Sequence, residues 1–422
     1  MSADIPVKPP IHYGWLVLAA SFAILFLTTG ARFTIGVVFK PLMMEFGWDR
    51  STVSLGIFIN MVVYALSLIV AGIAYDRHGP RWVVTLSAIL ISTGFMCLSI
   101  TDSLWKFILF YGILAALGMG GTTPPLFATL TSKWFDKGRG FAVSLGLAGS
   151  GLGQFLLVPF FTVVVIGYGW RVSYFLLGLM MLIVVVALAL LVLRGDPEHL
   201  GLKPFGHVED AHEDKGRTSP SLSTGSQGMD LKDAMKTYPF WLFLIVNFIC
   251  GSTDFLVTTH LIPMVTDYGI SPVTGGKMLA WLGLMSLVGM LTAGPLSDRI
   301  GTRIPFAFTF IFRVFLFILV LKYQTLIAFY IFACAFGFTL SMGAPLTPIL
   351  LGKLYGTRHI GLLANFIVTI HHMAGGFWVF VGGLIFDHTG SYQLAFIMSA
   401  IMVFIAFICM LFIRERSQFD EI

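Results

Sequence analysis

The sequence predicts an all-α membrane protein: twelve transmembrane helices arranged as two six-helix bundles. Three observations lead there. Of 422 residues, 57% are hydrophobic and only 11% charged, against roughly a quarter charged in a soluble domain. Apolar runs recur at the length, about 20 residues, that crosses a bilayer. A short polar pattern, Gly72, Asp76, Arg77, Gly79 and Arg81, returns 222 positions later as Gly294, Asp298, Arg299, Gly301 and Arg303. A water-soluble core of this size needs a charged surface that the chain lacks.

Taken in order, the apolar runs place α1–α6 at 14–38, 51–75, 80–100, 104–132, 140–166 and 171–194. After a polar stretch, α7–α12 follow at 239–265, 275–297, 303–322, 325–352, 360–386 and 390–413. The start, Met1 to Tyr13, is polar and lacks a signal-peptide layout, so α1 is expected to remain as an uncleaved span. One copy of the repeated loop joins α2 to α3, the other α8 to α9. Within α4, Thr122, Thr123, Pro124 and Pro125 predict a kink. The domains are expected at 1–194, 195–238 and 239–422: a bundle, a cytoplasmic linker rich in Asp, Glu, His, Ser and Gly, and a second bundle. The end of the linker, Leu231 to Lys236, is expected to form a short interfacial helix.

Orientation follows from Lys and Arg, which concentrate in cytoplasmic loops. With both termini inside, the inner segments hold 18 of the 26 basic residues and the outer segments six; Arg32 and Arg313 lie within spans. The formal net charge of +5 is then a topology signal and gives no reason to expect nucleic-acid binding.

The repeat also aligns charges. On the same register Phe33 matches Phe255, Pro41 matches Pro263, Glu45 matches Asp267, and Arg32 matches Asp254. Equivalent helices of parallel repeats face each other across a central site near the midplane. A charge in a bilayer costs at least about 2.5–3.5 kcal/mol on insertion scales, and Asp254 is the one acid within a span. Two readings stand: an ion pair locking α1 to α7, or a substrate cation (Arg32, whose planar fork suits a carboxylate) beside a proton-coupling carboxyl (Asp254). The functional reading has Arg32 and Asp254 satisfying each other until a substrate carboxylate takes Arg32. Arg313, mid-span in α9, carries both a packing reading against α8 or α10 and a ligand reading. His371 and His372 point about 100° apart on α11, so one of them is expected to face the cavity. Asn365 lies on the face of His372. His260 is either an external gate residue or an interfacial snorkeller.

Glycine clusters at Gly118, Gly120 and Gly121, and at Gly146, Gly149, Gly151 and Gly153, follow no strand. They read as close helix packing, not phosphate loops. Cys97, Cys250, Cys334 and Cys409 fall in apolar runs without paired spacing and read as small core residues, not disulfides or metal ligands. No nucleophile–base constellation or metal-ligand spacing emerges; an enzyme and a metal cofactor are not expected.

The paired G-x-x-x-D-R-x-G-x-R loops resemble the signature between the second and third helices of the major facilitator superfamily. The chain further resembles the monocarboxylate-transporter branch, particularly its prokaryotic members. That likeness rests on His12 to Trp15, on Arg32 through Pro41, and on Glu45 to Ser51. It continues through Thr259 to Pro263, Asp267 to Ser271, His371–His372 and Asp387 to Tyr392. The resemblance implies transport of short monocarboxylates such as lactate or pyruvate across the cell (cytoplasmic) membrane by alternating access, commonly with a proton and no other cofactor, as a monomer. It also implies that Asp76, Arg77 and Arg81, with Asp298, Arg299 and Arg303, form inner-face charge networks holding the outward-open state. One departure stands out: where the family usually carries a substrate-binding arginine in α8, this chain has Met290. Either Arg32 or Arg313 replaces it, or the substrate differs. The alternative reading is an organic anion exchanger of the oxalate–formate type, with Arg313 holding a second carboxylate.

Overall fold

The computed structural model describes residues 12–207, 228–356 and 358–415; Lys8, Lys215, Arg217 and Arg416 of the charge tally lie outside them. Ten helices are long and apolar enough to cross a membrane, and two of these are folded double. The helix Arg50–Leu98 has 49 residues. Straight, it would measure about 73 Å, more than twice the ~30 Å hydrocarbon layer. It turns back at Gly79, whose φ of 76° is open to glycine, with Pro80 following. This gives α2 (50–78) and α3 (80–98). Gly169 (φ 79°) divides Arg139–Leu191 in the same way into α5 (139–168) and α6 (170–191). The described residues therefore hold twelve spans.

The remaining spans are α1 (Tyr13–Phe46), α4 (Leu104–Trp134), α7 (Tyr238–Asp267), α8 (Pro272–Ile300), α9 (Arg303–Lys322), α10 (Leu326–Tyr355), α11 (Ile360–Thr389) and α12 (Gln393–Phe412). The sequence ended α1 at 38, but the helix accommodates Pro41 and runs to Phe46, stopping at Gly47 in the left-handed region. Leu231 to Lys236 yields one turn, Leu231–Ala234.

Three spans are broken where their side chains matter. In α1 the pieces Tyr13–Arg32 and Ile35–Phe46 are joined by a turn in which Phe33 and Thr34 donate to carbonyls three residues back, so the axis breaks directly after Arg32. In α4 a π-helical stretch, Ile108–Ala115, precedes an interruption that ends at Pro124, the predicted kink. In α10 the break falls between Leu340 and Gly343.

Glycines set the packing distances. Gly149 and Gly153 of α5 lie directly against the carbonyls of Phe22 and Phe26 on α1, where a Cβ would overlap them. The two halves of the chain meet along α2–α11 and α5–α8. Arg50 and Ser54 pack on Gly383, Phe58 and Met61 on Gly376, and Gln154 donates to the Leu279 carbonyl at 3.1 Å. All of these contacts lie toward the end remote from the chain termini. Along the same helices toward the terminal end, Ile69, Ile73 and Phe141 are 46%, 53% and 67% exposed. The two halves are thus sealed together at the far end.

Candidate functional site

Where α1 breaks, Arg32 projects into the space between the halves. Its guanidinium carbon sits 4.2 Å from the Tyr64 ring centroid and 5.4 Å from that of Phe255, one ring from each half. Nη2 reaches the Met61 sulfur at 3.3 Å, and Nε is buried without a hydrogen-bond partner. Among the described residues Arg32 makes no ion pair. A guanidinium between two aromatic faces gains cation–π attraction, which holds it in place but leaves its fork of donors without an anion.

Asp254 does not pair with Arg32, contrary to the sequence expectation. Its Oδ1 lies 2.7 Å from Arg313 Nη1, and the two side chains are 7% and 0% exposed. The reason is reach. Asp254 has a short side chain that finds its cation within its own half, whereas Arg32 is long enough to lean across to Phe255. The repeat register puts Ile91 of the first half where the second has Arg313, so only the second half carries a local cation. Arg313 is also satisfied on every side. Nε and Nη2 donate to the hydroxyl and carbonyl of Thr339 at 2.9 and 3.0 Å, and Nη1 to Thr253 Oγ1 at 3.2 Å. Thr339 sits in the last turn before the α10 break, where helix carbonyls lack intrahelical partners and favour a cation.

Both histidines lie near charge, and both are half-buried, so neither stands out as the single one facing the cavity. His371 Nε2 is 3.8 Å from Asp254 Oδ2, with 21% of its side chain exposed. His372 donates Nδ1–H to the Val368 carbonyl at 2.8 Å, since a carbonyl only accepts. Its ring stands 4.9 Å from Tyr64. Arg32, Tyr64, Phe255, His371, His372 and Asp254 thus line one region of the cavity. Asn365 is exposed, two turns nearer the terminal end, and Met290 is half-buried on α8.

The far end carries a network that sequence reasoning missed. Arg50, buried at the start of α2, donates from Nη2 to both oxygens of Asp267 at 2.8 Å and from Nη1 to Tyr392 Oη at 2.7 Å. It stacks 3.4 Å above the Phe386 centroid. Asp387 accepts from the backbone N–H of Arg50 (3.0 Å) and Ser51 (2.8 Å), supplying from the other half the cap that Asp49 does not give. Lys40 adds a 2.7 Å contact to Asp267. His260 is buried here and joins Tyr392 Oη at 2.7 Å and the Val379 carbonyl at 3.0 Å, so it does not snorkel. The available signal was Arg50 itself, a basic residue on the predicted outer side, where such residues are scarce.

At the terminal end, Asp76, Arg77, Asp298 and Arg299 are exposed, with Arg81 half-buried. Among the described residues no ion pair joins the two signature loops. Arg303 is instead anchored through its backbone N–H to Glu415, which also meets Lys353 Nζ at 2.8 Å. Partial burial works against the Glu415 carboxylate, but the Lys353 and Arg303 hydrogen bonds outweigh it and hold its pKa below the ordinary value.

Comparison with known proteins agrees with this architecture. The Major Facilitator Superfamily profile matches residues 21–292 and 243–421. The "Uncharacterized MFS-type transporter YcxA" of Bacillus subtilis (strain 168) is 27% identical over 397 residues, spanning 93% of this chain and 92% of the relative. "Monocarboxylate transporter 12" of Mus musculus is 23% identical, covering 96% of this chain and 86% of the relative. "Monocarboxylate transporter 13" of Rattus norvegicus is 24% identical, covering 93% and 86%. Among solved structures, a bacterial homolog of the human lysosomal transporter Spinster superposes with a TM-score of 0.73 at 16% identity, covering 97% of this chain and 99% of that one. The nucleoside transporter NupG superposes at 0.72 with 12% identity, covering 94% and 99%.

Proposed function

Because the chain belongs to the Major Facilitator Superfamily, and is therefore a multi-pass membrane transporter and not an enzyme, we propose that it carries short-chain monocarboxylates with a coupled proton. The observation that carries this reading is Arg32. It is a cation at the break of α1, fixed between Tyr64 and Phe255, with no carboxylate beside it among the described residues. An incoming carboxylate takes the bidentate donors, while the rings on either side favour a small body behind it. The relatives named monocarboxylate transporters point the same way.

Asp254 is the coupling carboxyl in this proposal. With Arg32, Arg313 and Asp254 charged, the empty site holds one net positive charge. One anion and one proton together restore that same value. Empty and loaded carriers then cross the membrane field, worth about 2.3 kcal/mol per charge per 100 mV, on equal terms. An anion on Arg32 and a proton on Asp254 favour each other, and such coupling is reciprocal. His371, partly exposed and 3.8 Å from Asp254, is the route for the proton. His372 lines the carboxylate pocket, and Asn365 stands at its mouth.

The positive-inside tally supports cytoplasmic termini and a place in the cell membrane, with the open end of the cavity facing the cytoplasm. The signature-loop charges then stand apart because the inner end is open, and they assemble when it closes. The protein works as a monomer in this reading, each chain holding a complete cavity. An oxalate–formate type exchanger would need Arg313 to take a second carboxylate, and Arg313 is fully buried and already paired.

The test is uptake of labelled lactate, pyruvate, acetate and oxalate into proteoliposomes with and without an inward proton gradient. Accumulation of a monocarboxylate that collapses with the gradient is expected. Uptake indifferent to the gradient but dependent on an internal counter-anion would replace symport with exchange.

A further inference from the structure

Beside Asp254 and His371 stands a third donor, Cys250, that the proposed transport cycle does not use. Cys250 lies one turn before Asp254 on α7, and its sulfur is 3.4 Å from Asp254 Oδ2. His371 Nε2 approaches the same oxygen from α11 at 3.8 Å, and the three donor atoms all lie within 4.8 Å of one another. We infer that Cys250, Asp254 and His371 form a binding site for a divalent transition metal of the zinc class, opening onto the transport cavity.

The donor set and its spacing argue for this ion class. A tetrahedral zinc ion with bonds of about 2.0–2.3 Å sets its donors roughly 3.3–3.7 Å apart. Two of the three separations are already near that range. A thiolate, an imidazole and a single carboxylate select a borderline or soft ion, whereas calcium and magnesium take oxygen-rich sites.

Arg313 acts as the outer partner. It holds Asp254 by Oδ1, which turns Oδ2 toward the sulfur and the imidazole. A metal-bound carboxylate is commonly held through its other oxygen in this way. Arg313 Nη1 also lies 3.8 Å from the Cys250 sulfur. Binding breaks the S–H bond and forms a metal–sulfur bond, and the proton leaves through the cavity beside His371. Three protein ligands leave a fourth position open on the exposed side of His371, for water or a carboxylate.

A metal there ties α7 to α11 and occupies the carboxyl that, on the proposed function, takes the proton. It therefore acts as an inhibitor of transport.

The experiment titrates the purified full-length protein in detergent with Co²⁺ and then Zn²⁺. A thiolate-to-cobalt charge-transfer absorption, saturating at one ion per chain and displaced by Zn²⁺, is expected. Cys250→Ser keeps a hydroxyl donor to Asp254, so it should fold and transport. It should lose the charge-transfer band and bind Zn²⁺ at least tenfold more weakly. His371→Gln should weaken Zn²⁺ similarly, with monodispersity and melting temperature reporting the fold of both. No charge-transfer band in the parent protein, or equal Zn²⁺ affinity in parent and both variants, overturns the inference. The binding readout needs no transport, so a failed uptake assay leaves it standing. Zn²⁺ should also inhibit uptake by the parent and spare Cys250→Ser; equal inhibition of the two would overturn the site.

Discussion

Arg313 and Asp254 form an ion pair at 2.7 Å with neither side chain more than 7% exposed, while Arg32, the repeat counterpart of Asp254, has no acidic partner among the described residues. The second half of the transporter neutralises its own buried acid. The first half holds a half-buried cation that, among the described residues, has no acid beside it.

Removing one member of a buried pair strands the other, a change that typically costs about 3–5 kcal/mol. Arg313→Met should therefore lower the melting temperature in detergent sharply. The double variant Arg313→Met with Asp254→Asn should recover most of the loss. Equal melting of the single and double variants would show that the Thr339 contacts, not the ion pair, carry the stability.

Arg32→Lys keeps the charge but loses the planar fork. A charge-assisted hydrogen bond contributes about 1.5–3 kcal/mol, so the variant should bind monocarboxylate on the order of 10- to 100-fold more weakly. Equilibrium binding in detergent reads this directly. Unchanged affinity would move the anion site elsewhere.

Asp254→Asn should abolish accumulation against a gradient while counterflow of bound substrate continues. The check is a side-by-side comparison of proton-driven uptake and exchange in the same vesicles. Gradient-driven accumulation that survives would remove Asp254 from proton coupling.

Arg50 closes the far end through Asp267, Tyr392 and the Asp387 cap. Arg50→Gln should raise the population open at that end by about tenfold or more, which corresponds to only ~1.4 kcal/mol. Spin-label distances between the start of α2 and the end of α11 would register longer separations. A distance distribution like that of the parent would mean the seal rests on the α2–α11 glycine contacts and the Gln154–Leu279 bond instead.

Glu415 gives a pH dependence outside the membrane. Burial opposes its ionisation, but the Lys353 and Arg303 hydrogen bonds prevail and lower its pKa from 4.5. A carboxylate with a lowered folded pKa stabilises its contacts above the unfolded value, and that contribution is lost as pH falls through the folded one. The tail should stay docked on the α8–α9 loop at neutral pH and release only below about pH 4.5. Hydrogen exchange at the Arg303 amide would report it. Glu415→Gln should release the tail at neutral pH.

The span count, the two halves, the breaks at Gly79 and Pro124 and the charges placed mid-span could all be read from the chain. Each follows from local chemistry: apolar length against bilayer thickness, glycine and proline against helical geometry, and the cost of an ion in hydrocarbon. Which charges pair could not be read. Arg32 and Asp254 share a register, but helix position does not say how far a side chain reaches or which neighbour it finds. The far-end seal was hidden for a related reason. Arg50, Asp267, Asp387 and Tyr392 are scattered over more than 340 positions, and each looks like an ordinary loop or helix-end residue until the halves come together.

By itself, then, the sequence determined the fold and the membrane habitat, because these depend on composition and on spacing along single helices. Only the tertiary structure decided that Asp254 pairs with Arg313, that Arg32 lies between Tyr64 and Phe255 with no acid beside it among the described residues, and that the halves are sealed at the far end. Those outcomes turn on side-chain reach and on packing between helices distant in sequence, where an ångström separates a partner from a bystander.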